Sequence, residues 1–471
     1  MSLRGVRLAT NTSIFAAGTV STQIVALVTV PFVTAQLSPG EYGSVDLLIT
    51  VVSLMLPLAS LGISEAVVRF GMDQSFILRD IISSGVAIAL VGFMLCLAVL
   101  PLINTTVGSE SLVGVGAALL LTLMAREVAG GYLRAANRIG TLVAGGVAQS
   151  LLLALGLFLF MGLHPGGRTG YLLALLLSNF VVSAVFTTIA LTGGRFSLLA
   201  IKRETMVRML RYSVPLVPNA LLWLAVASVS RFFLLASQGE ESVGLYAVAV
   251  RITSVIVGMT SVFMQAWQLS AIEERHSTDR ETFESDVFAI LSGALFVGAS
   301  ALLLCLKPLM NLVFSDRYFD AWTSVPPLLF GVIFLAFATF AGTQYKVMMV
   351  TSRALWTSLL GAVTVVALSA LIVPTFGVVG AGVATCGGYL VLWLVRVADV
   401  GLPFRTKKQG TVFITGLALV ALQGSLLYSA APSRLSLGVG SFLLVATVTV
   451  NLGAARVVSS MFVGIIGRRN G

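Results

Sequence analysis

Arg231 and Arg251 stand in otherwise apolar helical sequence, "SVSRFFLLASQGEESVGLYAVAVRITS" from Ser228 to Ser254, on either side of a short acidic turn. A guanidinium stays charged at any accessible pH and presents paired donors that match phosphate oxygens, so this pair is suited to capturing an anion. Counted from the turn at Gln238 to Glu241 with 1.5 Å of rise per residue, Arg231 lies roughly 10 Å and Arg251 roughly 15 Å into an apolar layer about 30 Å thick. An arginine facing lipid at such depth costs about 2.5–3.5 kcal/mol, so each side chain is expected to face a wet cavity or a counter-charge. The two helices are consecutive and antiparallel, which lets the guanidinium groups converge. Two plainer roles stay open: snorkelling for Arg231, and a structural ion pair or bonds to helix carbonyls for Arg251.

Further polar residues enter the apolar runs. Asp46 sits about 7 Å below one interface by the same rise. It reads equally as an interfacial carboxylate, a partner for Arg251 or a proton-coupling group. Asn11, Gln23, Asn219, Gln265 and Gln268 can line a cavity and bond sugar hydroxyls, or can join helices to one another. Glu65 and Arg69 lie one turn apart and are expected to pair locally. Pro215 and Pro218 remove two backbone donors and should kink the seventh helix near its start. No catalytic residue, metal site or cofactor is expected: Cys96, Cys305 and Cys386 all fall inside apolar runs, and His164 and His276 lie in loops on opposite sides.

The elements that position these residues follow from composition. Of 471 residues 57% are hydrophobic and 10% charged, with a mean hydropathy of +1.01; soluble domains average about 25% charged. Runs long enough to cross a hydrocarbon core recur along nearly the whole chain, without strand alternation. The chain therefore reads as an all-α polytopic membrane protein with about fourteen spans. The fourth is expected at 111–130, the seventh at 212–236 and the eighth at 243–269. The net charge of +10 is not a nucleic-acid footprint. With the N-terminus inside, most basic residues, Arg126 and Arg396 among them, fall at cytoplasmic ends and loops. Arg168, Lys307, Arg317 and Arg434 fall outside, and Arg231 and Arg251 remain within spans. Both termini are then cytoplasmic, in the inner (cytoplasmic) membrane, and the first apolar segment is a span rather than a cleaved signal.

Short loops leave no room for a soluble domain. "LSPGEYGSVDLLITVVSLM" after the first span resembles "ASQGEESVGLYAVAVRITSVI" after the seventh, with Gly43 answering Gly244. The repeat divides the chain into an N-terminal six-helix bundle, 1–192, a cytoplasmic interfacial helix, 193–211, a second six-helix bundle, 212–400, and two additional helices with a tail, 401–471. Parallel repeats of this kind meet around a site near the bilayer midplane.

"LSPGEYGSVDLLITVVSLMLPLASLGISEAVVRF", "MLRYSVPLVPNALLW", "SRFFLLASQGEESVGLYAVAVRI" and "FGVVGAGVATCGGYLVLW" occur in that order. Together they resemble the polysaccharide-lipid flippases, the O-antigen and exopolysaccharide transporters of the multidrug/oligosaccharidyl-lipid/polysaccharide exporter superfamily. The resemblance implies two six-helix bundles in a MATE-like V, two extra C-terminal helices, and alternating access. It implies as partner a polyprenyl-pyrophosphate-linked glycan whose prenyl tail stays in the lipid bilayer, with no nucleic acid. It also implies a monomeric, non-enzymatic transporter working beside the polysaccharide polymerase machinery. Arg231 matches an arginine that in the family often follows an aspartate. This chain has Ser230 there, which removes the adjacent counter-ion and speaks against an ion pair at Arg231. A peptidoglycan-precursor flippase, a cation-drug exporter and a glycan polymerase or ligase are the competing classes.

Overall fold

The computed structural model describes residues 3–467 apart from 74–75, 108–109, 164–165, 195, 274–278, 349 and 430–432. The described residues are predominantly helical and include no strand. In chain order the helices are α1 (Leu3–Gln36), α2 (Pro39–Ser60), α3 (Ile63–Gly71), α4 (Leu78–Val107), α5 (Glu110–Ala135), α6 (Ile139–Leu157), α7 (Gly167–Gly193), α8 (Arg203–Ser213), α9 (Val217–Gln238), α10 (Glu240–Glu273), α11 (Arg280–Val313), α12 (Val325–Val347), α13 (Thr351–Val400), α14 (Lys407–Leu426) and α15 (Ser433–Gly467). Thirteen described segments are long and apolar enough to cross a membrane. This is a multi-pass membrane protein. The segment Ser352–Val400, 49 residues long, breaks at Gly377 (φ 53°, ψ −129°), a left-handed conformation that glycine adopts without strain. Its halves fold back on each other: a Cβ placed on Gly361 would lie 3.3 Å from the Gly388 carbonyl oxygen. Counting the halves separately brings the tally to the expected fourteen.

Local sequence sets the boundaries. Pro39 opens α2, and Ser38 and Glu41 cap it reciprocally: Ser38 Oγ accepts from the Glu41 amide (3.3 Å), and Glu41 Oε2 accepts from the Ser38 amide (2.9 Å). Leu61 (φ 49°) and Gly62 (φ 64°) are both left-handed, so α2 ends at Ser60 and a separate α3 begins. A 3₁₀ turn at Val214–Leu216 separates α8 from α9, and Pro218 lies in the first turn of α9, where its missing N–H has no helical partner to lose. The two prolines thus lie at a 3₁₀ irregularity near the start of the seventh helix, inside the apolar segment Arg203–Gln238, where the kink is expected.

By packing, the chain forms two compact units, Met1–Ala247 and Val248–Gly471. In the first, α2 packs on α4, α5, α7 and α9, α1 packs on α6, and α3 lies against α4, α5 and α8. Within 193–211, Leu198 and Leu199 are exposed; α8, beginning at Arg203, is tied down by Lys202 Nζ to Asp80 Oδ2 (2.5 Å) and by Tyr212 against Phe70 (ring centroids 5.8 Å). In the second unit, α12 packs on α13 and α11 on α14 and α15. Its centre is aromatic: Phe296, Phe337, Phe413 and Trp393 sit with neighbouring ring centroids 5.3 to 6.0 Å apart.

Candidate functional site

Asp46 and Arg231 come together in the first unit. Arg231, 8% exposed on α9, donates from Nε to Asp46 Oδ2 on α2 at 2.6 Å and from Nη1 to the Ala227 carbonyl at 2.8 Å. Its guanidinium carbon lies 5.5 Å from the ring centroid of Tyr246. The counter-ion missing at Ser230 is supplied from another helix, so the expectation of no ion pair at Arg231 is corrected. The reason is register: α2 and α9 pack closely enough for a short aspartate to reach.

Next to it, the first turn of α10 meets the first turn of α2 at Gly43 and Gly244, the two positions matched by the internal repeat. A Cβ on Gly43 would fall 2.1 Å from the Glu240 carbonyl oxygen and 2.7 Å from the Gly244 amide nitrogen. One on Gly244 would fall 1.9 Å from the Pro39 carbonyl oxygen. The equivalent glycines of the two hairpins therefore abut, with no space for any side chain.

Asn219, partly exposed, lies twelve positions before Arg231 on α9, about 18 Å along the axis. Gln23 is partly exposed on α1, which packs on α6. Arg251 is partly exposed on the portion of α10 that belongs to the second unit; Gln265 is exposed fourteen positions further, about 21 Å along the helix. Gln23, Asn219 and Gln265 form no side-chain hydrogen bond among the described residues. The side chain of Asn11 lies outside the described residues.

Glu65 does not pair with Arg69. It meets Arg134 of α5 at 3.3 Å, while Arg134 Nη2 donates to Ser64 Oγ at 2.9 Å. Two further arginines are held by neutral groups of neighbouring helices, Arg126 well inside its span and Arg396 about 6 Å from the Val400 end of its own. Arg396 is 3% exposed, and Arg126 lies within the span Leu112–Ala135, about 14 Å from its Ala135 end. Arg126 Nη1 donates to Gln149 Oε1 of α6 and to Asn179 Oδ1 of α7 (3.4 Å), and Gln149 Nε2 donates to Asn179 Oδ1 (2.8 Å). The signal was available: the span expected at 111–130 already contained Arg126. Positive-inside reasoning nonetheless sorted it with the loop charges.

In the second unit a cavity of about 440 Å³ is walled by Phe288, Phe340, Trp393 and Phe404, with Arg280 at its edge. That arginine is committed to Glu284 Oε1 (2.7 Å) and to Gln344.

The family described as "Polysaccharide biosynthesis protein" matches residues 8–269. Among solved structures, the lipid II flippase MurJ in an inward closed conformation superposes with a TM-score of 0.68 at 12% identity, over 96% of this chain and 99% of that one. An inward-facing multidrug resistance MATE family transporter of the MOP superfamily gives 0.63 at 18% identity, over 87% and 96%. A MOP superfamily transporter from Pyrococcus furiosus gives 0.58 at 17% identity, over 88% and 95%. At these identities the likeness is one of fold. No curated protein sequence matches the chain.

Proposed function

Since the chain belongs to the polysaccharide biosynthesis protein family and has the fold of MOP-superfamily transporters, we propose that this membrane flippase moves a polyprenyl-pyrophosphate-linked oligosaccharide from the inner to the outer leaflet, by alternating access, for surface polysaccharide assembly. The observation that carries the reading is the family match over residues 8–269. In this reading the protein sits in the cytoplasmic membrane with both termini inside, acts as a monomer beside the polymerase, and divides functionally into bundles 1–192 and 212–400 joined by the helix at 193–211, with the helices of 401–471 added.

The physical support is the placement of cations. A diphosphate entering a low-dielectric passage needs donors that are already dehydrated and charged, and membrane-embedded arginines supply them. Arg251 is the proposed contact on α10. Arg231 is held by Asp46, so a headgroup must compete with that carboxylate, and release of the pair is a natural point at which binding couples to movement. Gln23, Asn219 and Gln265, with unpaired amides in or near apolar helices, are proposed to meet sugar hydroxyls. An inside-negative potential favours outward movement of an uncompensated anion by about 2.3 kcal/mol per charge per 100 mV.

The test is Arg251→Ala in cells. Insertion and abundance stay at wild-type level, while glycan delivery to the outer leaflet falls by at least about tenfold, the effect of losing one charge-assisted bond; undiminished delivery refutes the assignment. The superposition on the lipid II flippase over 96% of the chain favours one second reading, a peptidoglycan-precursor flippase. Depletion separates the two: arrested wall synthesis supports the second, loss of a surface polymer alone supports the first.

A further inference from the structure

Arginine carries five N–H donors, two on each terminal nitrogen and one on Nε. At Arg126 both Nη1 hydrogens are engaged by neutral amide oxygens, those of Gln149 and Asn179. The Nε and Nη2 donors have no acceptor among the described residues, and the guanidinium forms no ion pair there; Glu127, next in sequence, is within electrostatic reach without bonding to it. Arg126 as a residue is partly exposed rather than buried. Asn179, 2% exposed, is itself anchored by donation from Nδ2 to the Leu175 carbonyl at 2.8 Å, so the amide clamp is rigid.

A guanidinium fixed by one terminal nitrogen, with its Nε–Nη2 edge unengaged in mid-span, has the donor spacing that accepts two oxygens of one phosphate. We propose that this edge of Arg126 is a diphosphate-binding station of the first unit, with Gln149 and Asn179 as positioning residues; the choice of a lipid-linked diphosphate as ligand rests on the flippase reading above. Arg231 is less suited to the task, because Asp46 already occupies its Nε.

The experiment uses the full chain in lipid nanodiscs and farnesyl diphosphate as probe, read by thermophoresis. Wild type binds, and Arg126→Gln weakens binding at least tenfold with an unchanged melting temperature. Arg126→Lys does not restore affinity, since an ammonium lacks the fork. Gln149→Glu sets a carboxylate against the intact guanidinium and gives the same loss, which covers the case in which Arg126→Gln fails to fold. Wild-type affinity in Gln149→Glu overturns the proposal. Competition by inorganic pyrophosphate supports a site that reads the diphosphate; displacement by phosphatidylglycerol vesicles but not by pyrophosphate overturns that assignment. Flipping in proteoliposomes keeps the two readings separate. Delivery that survives Arg126→Gln but not Arg251→Ala sinks the station alone. Probe binding that depends on Arg126, in a protein that flips no lipid-linked saccharide, sinks the flippase substrate and leaves the station standing.

Discussion

Arg396 and Arg126 both sit inside apolar helices, yet their nitrogens are used differently. Arg396 donates from Nε to Thr357 Oγ1 (3.2 Å), from Nη1 to the Ala338 carbonyl (2.7 Å) and from Nη2 to Ser358 Oγ (3.3 Å), beneath the ring of Tyr345. Gly342 leaves the room, since a Cβ there would lie 2.5 Å from Nη1. Every nitrogen of Arg396 is spent on joining α12 to the two halves of α13. Arg126 spends one nitrogen on two amides and leaves the Nε–Nη2 edge unengaged in a partly exposed residue. Depth alone does not distinguish a stapling cation from one able to take a ligand; the engagement of each nitrogen does.

The largest test of that distinction is Arg396→Ala. It orphans a buried carbonyl and opens a cavity, with a loss on the order of 3–5 kcal/mol, visible as a lowered melting temperature in detergent. Arg126→Gln, where only amide partners are released, stays within about 1 kcal/mol of wild type. Equal losses in the two variants would erase the comparison.

Arg231 lies between these cases, with a carboxylate on Nε and a carbonyl on Nη1. Asp46→Ala leaves its guanidinium buried without a counter-charge. The expected loss is about 2–3 kcal/mol, below the full figure for a buried pair because the Asp46 side chain keeps 22% exposure. A double-mutant cycle of Asp46→Asn with Arg231→Gln should give a coupling of about 1–3 kcal/mol. A coupling near zero would make the pair incidental and return Arg231 to the class of ligand-ready cations.

How much of this was legible in the sequence depended on how local the cause was. The spans, the start of α2 and the break at Gly377 follow from apolar runs, a Ser38–Glu41 cap and a glycine between helical halves, all contained within a few residues. The matching of Gly43 with Gly244 was readable as a repeat. That the two glycines touch was not, because contact between distant segments leaves no mark on either segment. Partner choice failed for the same reason. Asp46, for which the sequence leaves three roles open, bonds Arg231, 185 residues away; Glu65, expected on Arg69, meets Arg134, 69 residues away. Arg126 falls with the loop charges under a rule that treats every arginine near a span end as topological, although its span runs on to Ala135. The amides of Gln149 and Asn179 stand 23 and 53 residues downstream of Arg126, so only the packing of α5, α6 and α7 shows why the cation is tolerated in mid-span.

The smallest expected effect calibrates the others. Arg134 and Glu65 meet at 3.3 Å, but their side chains keep 39% and 54% exposure. Two exposed, flexible side chains gain little from being held together, and water and salt screen what they gain, so Glu65→Gln should cost no more than about 1 kcal/mol. That cost should fade as salt rises toward 1 M, where the screening length is about 3 Å. The Asp46–Arg231 pair, with side chains only 22% and 10% exposed, should keep its coupling across the same range, because ions in solution cannot enter between packed helices. Melting temperatures of the two variants against salt concentration test this directly. If the Asp46–Arg231 coupling declines with salt as steeply as the Glu65 effect, Arg231 is open to bulk solution, and its burial no longer separates it from Arg126 as a site for anions.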